Sequence, residues 1–138
     1  VNYDPDNHHY MNVHRQQKVD TISNYIPEAK VYGEENGDLL VLGWGGTHGA
    51  IRSSVEKAQK AGHSVAHLHL RYINPFPKNL GSILKNYKKV LIPELNLGQL
   101  LMMIRAKYLV DAQGLNKVAG KPFTTVEVYN KILQLLKG

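Results

Sequence analysis

The sequence predicts an α/β fold, a three-layer sandwich with a mostly parallel sheet at its centre. Strands are predicted at 39–42, 64–70 and 90–92, and the continuous apolar run 39–42 has the composition of a strand that is covered on both faces. Each of these strands is followed by a loop with glycine or proline and then by apolar residues at helical spacing. Strands and helices that alternate in this way imply crossover connections and a parallel sheet.

The first helix is predicted from the spacing of its apolar residues. Ile51, Val55 and Ala58 recur at i, i+4 and i+7. Thr47 is placed to cap the start of this helix, and Gly62 is placed to end it. The run therefore predicts an amphipathic helix directly after the first strand.

Three more helices and a fourth strand are predicted further along the chain. A short helix should bury Leu80, Ile83, Leu84 and Tyr87, and a helix from 98 to about 109 should bury Leu100, Leu101, Ile104 and Tyr108. Pro93 should close the third strand, and a short fourth strand is expected at 115–118. Thr124 and Glu127 have the spacing of a capping box. They predict a last helix whose buried stripe is Val126, Tyr129, Ile132, Leu133 and Leu136.

The first 38 residues differ from the rest and predict a separate segment. Residues 1–38 are interpreted as a polar helical lead-in and loop from a preceding domain, with Pro27 ending the helix. Residues 39–138 are interpreted as the α/β domain. The chain begins with Val1 rather than Met, so we expect it to be part of a longer protein.

Composition excludes several classes of function. The 138 residues contain no cysteine, which excludes a disulfide scaffold, a cysteine nucleophile and a cysteine-ligated iron–sulfur cluster within this chain. The net charge is +6, but the basic residues are spread singly, so we expect no nucleic-acid binding and instead contacts with an acidic partner or with water. No apolar run approaches the roughly 20 residues that span a membrane, and a cytoplasmic location is expected.

The segment 43–49, Gly-Trp-Gly-Gly-Thr-His-Gly, joins a strand to a helix. Glycines there let a backbone approach a ligand, and a helix N-terminus favours an anion. The segment matches neither the dinucleotide fingerprint nor a phosphate-binding P-loop. A tight turn is therefore favoured over a phosphate site, and binding of an anion or of coenzyme A stays open.

Two further patterns have a chemical and a structural interpretation. His67 and His69 share one face of a strand and could hold a metal, but no third ligand is evident, so histidines satisfied by their neighbours are favoured. Glu94 follows a strand and could act in acid–base chemistry, but without a partner group a loop-ordering or helix-capping role is favoured. The Gly-Asp-Gly magnesium motif of thiamine diphosphate enzymes is absent.

Five segments, taken in order, resemble the C-terminal domain in α subunits of 2-oxoacid:ferredoxin oxidoreductases. They are DPDNH at 4–8, GDLLVLGWGGT at 37–47, HLHLRYINPFP at 67–77, PELNLGQL at 93–100, and YLVDAQ at 108–113 with NKV at 116–118 and GKPF at 120–123. The likeness points to the 2-oxoglutarate branch of the family more than to the pyruvate branch. It departs at 46–48, where the family pattern has serine and often tyrosine.

The resemblance implies a fold like the transketolase C-terminal domain and a role inside a larger enzyme. That enzyme would convert 2-oxoglutarate, coenzyme A and oxidised ferredoxin to succinyl-CoA, carbon dioxide and reduced ferredoxin. Thiamine diphosphate and magnesium would bind through the β subunit and the preceding α domain, and iron–sulfur clusters would lie elsewhere. We therefore expect no catalytic residue, metal site or cofactor in this chain alone, and no activity of the isolated domain.

Topology predicts where this domain would meet its partners. Loops at the carboxyl ends of parallel strands converge, so we expect 43–49, 71–77 and 94–99 to form one interface or cofactor-supporting face. The residues proposed for it are Gly43, Trp44, Gly45, Gly46, Thr47, Arg71, Tyr72, Asn74, Phe76, Glu94, Asn96, Gly98 and Gln99. The same face would allow a homodimer of the isolated chain. The alternative is a free-standing nucleotide- or coenzyme-binding module.

Overall fold

The central sheet forms from runs of the chain that bury side chains on both of their faces. The computed structural model describes residues 25–95, 98–117 and 121–138. Its strands are β1 (Gly37–Trp44), β2 (Val65–Leu70), β3 (Tyr87–Leu95) and β4 (Gln113–Lys117). The strand order is β2-β1-β3-β4, and every neighbouring pair is parallel. The predicted parallel sheet is confirmed.

Helices cover the two faces of this sheet and complete the three predicted layers. α1 (His48–Lys60) and α4 (Thr125–Lys137) cover one face, and α2 (Leu80–Leu84) and α3 (Gln99–Tyr108) cover the other. Alternate residues of β1 divide between the two cores, because successive strand side chains point to opposite faces. Leu39 and Val41 lie in the α1/α4 core, and Leu40 and Leu42 lie in the α2/α3 core.

The third strand is longer than its sequence predicted. Tyr87 opens β3 instead of belonging to α2, and its hydroxyl donates a hydrogen bond to the Glu34 carbonyl. Pro93 lies inside β3 and does not close it. β1 pairs with β3 only as far as Leu91, so at Pro93 the strand has a neighbour on one side only, the setting in which proline is tolerated.

The predicted helix ends are partly right. The capping box of α4 is confirmed, with Thr124 and Glu127 bonded reciprocally. Thr47 does not cap α1, because its hydroxyl turns back and donates to the Trp44 carbonyl at 2.9 Å, which closes the short 3₁₀ turn Gly45–Thr47. Val126 was wrongly placed in the buried stripe of α4. It is exposed, and the stripe is built on Val128 and Ile132.

Residues ahead of β1 pack against the outer edge of the sheet. The backbones of Tyr32 and His67 exchange two hydrogen bonds of 2.7 and 3.0 Å in an antiparallel bridge. The Asn79 side chain holds Ala29 through two further bonds of 2.8 and 2.9 Å. The predicted helix before Pro27 falls almost entirely on residues 1–24, outside the described residues, and the domain boundary at 38 stays a prediction.

Membrane-spanning helices are not found in the described ranges. None of the helices there has the length and apolar composition needed to cross a bilayer.

Replacing two glycines of the 43–49 segment by alanine should change the free energy of unfolding in opposite directions. A Cβ at Gly43 would lie 2.5 Å from Ile51 Cδ1 and 3.0 Å from Thr47 Oγ1, whereas a Cβ at Gly49, inside α1, would meet nothing within 4 Å. We expect Gly43→Ala to lower the free energy of unfolding by about 1–3 kcal/mol through overpacking. Gly49→Ala should raise it by about 0.5–1 kcal/mol, since alanine favours the helix. Urea denaturation measures both, and equal effects would contradict the packing of α1 against β1.

Candidate functional site

The carboxyl end of β3 places a fully buried carboxylate against the start of α3. Glu94 is 1% exposed, and its two oxygens accept hydrogen bonds from the backbone N–H groups of Leu100 at 2.5 Å and Leu101 at 3.2 Å. These are orphan donors of the first helical turn, where the helix dipole also favours a negative charge. Glu94 is therefore a helix-capping residue, as the sequence favoured, and both its oxygens are occupied.

The carboxyl end of β2 gathers three histidines into one group, here called the histidine cluster. His67 and His69 point from β2 toward α1, and His48 is the first residue of α1. The ring centroid of His48 lies 5.2 Å from that of His67 and 4.9 Å from that of His69. The i, i+2 spacing on the strand and the start of α1 thus bring together residues that are about 20 apart in sequence.

His67 is buried in a neutral state. It is 0% exposed, and its Nδ1 accepts a hydrogen bond of 3.1 Å from Arg52 Nε, so its proton resides on Nε2. Burial, and then the positive charge of Arg52, lower the pKa of His67 to about 3. Burial and the neighbouring His48 also lower the pKa of His69. At neutral pH His67 and His69 therefore contribute hydrogen-bonding groups and not positive charge.

The expectation that neighbours satisfy these histidines is only half right. His67 Nε2 and His69 Nδ1 are buried and have no hydrogen-bond partner within the described part of the chain. A buried unpartnered polar group costs about 1–3 kcal/mol, so such atoms commonly mark places where water or a ligand binds.

A cleft of about 380 Å³ opens beside the histidine cluster. One wall comes from the start of α1 and the end of β2, and the opposite wall comes from residues 27–30 ahead of β1. Its acidic and basic side chains are those of Glu28, Lys30, His48, Arg52, His69 and Arg71. Cationic side chains outnumber the single carboxylate. The cleft, here called the basic cleft, is therefore a positively charged pocket at the carboxyl edge of the sheet.

The glycine loop is placed mostly as a structural turn. Gly43 and Trp44 belong to β1, Gly45 and Gly46 form the 3₁₀ turn, and Thr47 is 5% exposed. Trp44 is half-buried against the α2/α3 core. His48 alone brings this segment into the cleft.

The 71–77 loop lies between two surfaces. Arg71 and Tyr72 line the basic cleft, whereas Asn74 and Phe76 line a separate apolar groove. Tyr72 is 44% exposed, but Phe76 is 5% exposed and packs in the domain's own core. Phe76 therefore presents little surface to a partner.

The 94–99 loop does not join either surface through its described residues. Glu94 turns into the core, Gly98 adopts a left-handed conformation with φ of 76° before α3, and Gln99 begins that helix on its exposed side. Asn96 falls outside the described residues. A single face made from all three loops remains a prediction.

The described residues do not offer a ligand set for a magnesium ion or another metal. No group of three histidine, aspartate or glutamate side chains among them is arranged to hold a metal ion, and Glu94 is committed to its helix. The whole sequence has no cysteine to hold an iron–sulfur cluster. No catalytic step through thiamine diphosphate, magnesium or such a cluster can be assigned to these residues.

Sequence reasoning missed the residue that organises the cleft. Arg52 looked like an ordinary exposed position of α1, yet it bonds His67 and stacks on the Tyr32 ring, 3.8 Å from its centroid. The i, i+4 spacing of His48 and Arg52 on a helix that follows a strand was the available signal. Tyr32 gave no signal, because its position depends on the long-range bridge to β2.

Comparison with known proteins identifies the family. Residues 37–128 match the family model described as pyruvate:ferredoxin oxidoreductase core domain II. The whole chain aligns with the 2-oxoglutarate oxidoreductase subunit KorA of Mycobacterium tuberculosis at 46% identity and covers 21% of that protein. It also aligns with the α subunit of 2-oxoacid:ferredoxin oxidoreductase 1 of Aeropyrum pernix, at 27% identity and 23% of its length. The chain thus spans about a fifth of these relatives.

Solved structures agree with the predicted fold. The 2-oxoglutarate:ferredoxin oxidoreductase of Magnetococcus marinus, solved with 2-oxoglutarate, coenzyme A and succinyl-CoA bound, superposes with a TM-score of 0.83 at 28% identity, over 98% of this chain and 24% of that one. A split-gene transketolase, in an inactive β4 tetramer, superposes with a TM-score of 0.62 at 14% identity, over 80% of this chain and 41% of that one. The predicted transketolase-like fold is confirmed.

The Glu94 cap predicts a large loss of stability on neutralisation. Glu94→Gln keeps the size of the side chain but replaces one acceptor with an NH₂ donor that faces a backbone N–H. We expect a loss of about 2–3 kcal/mol in the free energy of unfolding, because one helix donor is left buried and unpaired. Urea denaturation measures it against Glu35→Gln, an exposed control that should change stability by less than about 0.5 kcal/mol.

Neutral His67 predicts a stability that falls in acid. The folded-state pKa of about 3 lies below the ordinary histidine pKa of 6.5, so the unfolded chain binds more protons between these values. Stability from this group is therefore complete above pH 6.5 and is lost as the pH falls toward 3, by about 1.4 kcal/mol per pH unit. His67→Gln keeps an acceptor for Arg52 and should flatten the dependence of unfolding free energy on pH between 5.5 and 4. Parallel curves for the two proteins would contradict this.

Proposed function

The chain belongs to the pyruvate:ferredoxin oxidoreductase core domain II family found in α subunits of 2-oxoacid:ferredoxin oxidoreductases, and on that premise we propose that it is the C-terminal domain of a 2-oxoglutarate:ferredoxin oxidoreductase α subunit. The complete enzyme would convert 2-oxoglutarate, coenzyme A and oxidised ferredoxin to succinyl-CoA, carbon dioxide and reduced ferredoxin. The support for this substrate is the 46% identity to a 2-oxoglutarate oxidoreductase subunit and the structural likeness to an enzyme solved with 2-oxoglutarate and coenzyme A.

Within that enzyme the domain would support the cofactor site and hold subunits together. One observation favours this role above others, namely an exposed apolar surface beside the 71–77 loop. Its groove of about 450 Å³ is lined by Ile73, Asn74, Pro75, Phe76, Met103, Ala106 and Lys107. Met102 and Met103 are 69% and 38% exposed on the adjoining part of α3. Apolar side chains grouped in this way are typical of protein interfaces, where methionine is enriched.

The cofactors and partners follow from the same proposal. Thiamine diphosphate and magnesium would be held by the β subunit and the preceding α domain, and iron–sulfur clusters would lie outside this chain. Ferredoxin and coenzyme A would be partners of the whole enzyme. The absence of cysteine from the sequence and the commitment of Glu94 to its helix support this division. A cytoplasmic location and an inactive isolated domain stay predictions.

The interface role predicts that α3 tolerates polar substitution in the isolated chain but not in the complete enzyme. Met102→Gln with Met103→Gln keeps helix propensity and removes apolar surface. We expect the isolated chain to keep its free energy of unfolding within about 0.5 kcal/mol. In the reconstituted enzyme, subunit association or turnover should fall by about fivefold or more, the effect of losing an interface contact worth 1 kcal/mol.

Leu109→Gln is the matched control. Leu109 is 87% exposed, follows the C-terminal end of α3 and is not among the residues that line the groove. It should leave the assembled enzyme unchanged when association is measured by sedimentation and turnover with 2-oxoglutarate. The same loss from both variants, or a loss confined to the isolated chain, would contradict an interface on this surface. Self-association of the isolated wild-type chain that the methionine substitutions abolish would support it.

A further inference from the structure

The basic cleft contains more positive charge than its one carboxylate balances. The ion pairs formed among described residues are Lys88–Asp38, Arg105–Asp111 and Lys117–Glu127, and none of them involves the cleft. Lys30, Arg52 and Arg71 face the single carboxylate of Glu28. With its histidines left out of the count, the lining therefore has an excess of two positive charges.

Arg52 is fixed in place by partners that leave its charge available. Its Nε donates to His67 Nδ1 at 3.1 Å, and its guanidinium carbon lies 3.8 Å from the centre of the Tyr32 ring. Tyr32 is in turn held by its two backbone bonds to His67. The two terminal nitrogens of Arg52 make no hydrogen bond or ion pair within the described ranges. A guanidinium held by an imidazole and an aromatic ring has already lost most of its rotamer freedom, which lowers the entropy cost of binding an anion.

An unpartnered nitrogen belongs to the lining of the same cleft. His69 lines the cleft, and its buried Nδ1 has no partner among the described residues. His67, which is fully buried against Arg52, leaves Nε2 unpartnered as well. His48 lies within about 5 Å of both rings and also lines the cleft. A ligand that enters here meets His69, whose hydrogen-bonding capacity the fold has left partly unused.

We propose that this cleft is a binding site for a phosphate group, free or as a monoester, with Arg52 as its central donor and Lys30 and Arg71 at its rim. Phosphate is favoured because a dianion matches the excess of two positive charges, and because its oxygens fit the fork of a fixed guanidinium. The cleft is larger than one phosphate, which leaves room for the organic part of an ester. The proposal does not depend on the interface role. The apolar groove and the exposed Met102 and Met103 beside it, here called the methionine surface, share no side chain with the cleft.

Titration of the complete 138-residue chain tests the site. Inorganic phosphate, adenosine 5′-monophosphate and succinate would each be titrated at pH 8 and constant ionic strength, with binding followed by ¹⁵N–¹H NMR. We expect saturable binding of a phosphate ligand that shifts the backbone resonances of His48, His69 and Arg71. Tighter binding of the nucleotide would identify an ester as the ligand, and equal binding would identify phosphate itself. Succinate should bind more weakly than either.

Removing one positive charge at each of three positions identifies which side chain donates hydrogen bonds to the phosphate. Arg52→Gln should weaken phosphate binding by about tenfold or more, because it removes charge-assisted hydrogen bonds from a fixed donor. Arg71→Gln, at an exposed position, should weaken it by about threefold. Lys60→Gln removes the same charge from the exposed far end of α1 and should leave binding unchanged.

The site can still be tested if one of the variants fails to fold. Arg71→Gln alters an exposed side chain outside both cores, so it keeps the test open if Arg52→Gln unfolds the chain. The absence of saturable phosphate binding to the wild-type chain would overturn the site. Equal loss from Lys60→Gln and Arg71→Gln, or succinate binding as tight as phosphate, would overturn its location or its ligand class. None of these results bears on the methionine surface, which is tested by subunit association.

Discussion

The architecture depends on one constraint, which is that β1 is buried on both faces. Leu39, Leu40, Val41 and Leu42 are all 0% exposed, and their side chains alternate between the two cores. A strand of this kind is stable only if helices cover both faces of the sheet, because apolar area is otherwise left in water. α1 and α4 supply one cover and α2 and α3 the other. Gly43, at the end of the same strand, lets α1 approach closely enough to close the first core.

The carboxyl edge of the sheet separates its charges. On the β3 side, the negative charge of Glu94 is buried and used to start α3. On the β2 side, Arg52 and Arg71 stand with His48 and His69 around an open cleft. The fold thus uses its buried acid for stability and leaves basic groups accessible. Ligands of open α/β sheets bind at this edge, so the position of the basic cleft agrees with the general rule for such sheets.

The 71–77 loop contributes residues both to the basic cleft and to the apolar groove proposed as a subunit interface. Arg71 and Tyr72 at its start and Pro77 at its end line the basic cleft, and residues 73–76 between them line the apolar groove beside α3. A partner seated on the groove would lie next to whatever binds in the cleft. In a chain that spans about a fifth of its relatives, two adjacent surfaces of different chemistry fit a domain whose contacts are made with the rest of a larger enzyme.

Local pattern determined the fold class, the burial of Ile51, Val55 and Ala58 and the capping box at Thr124, since each depends on residues within one or two turns. Pattern was wrong wherever a distant neighbour decides the outcome. Tyr87 joined β3, and Pro93 continued that strand because β1 ends beside it. Thr47 is a local exception, because its hydroxyl bonds the Trp44 carbonyl three residues earlier instead of capping α1. The order and register of the strands decided which side chains meet, and neither is encoded in periodicity.

The candidate site shows the same division. The sequence alone placed glycine, histidine and acidic residues at strand ends, because those positions follow apolar runs. Only the tertiary structure decided that Phe76 is core and that Arg52 lies between His67 and Tyr32, whereas a helix-capping role for Glu94 was already among those that the sequence favoured. The physical reason is that hydrogen bonds and ring contacts are set by distances of 3–4 Å between side chains far apart in the chain. Only the packed sheet brings those side chains together.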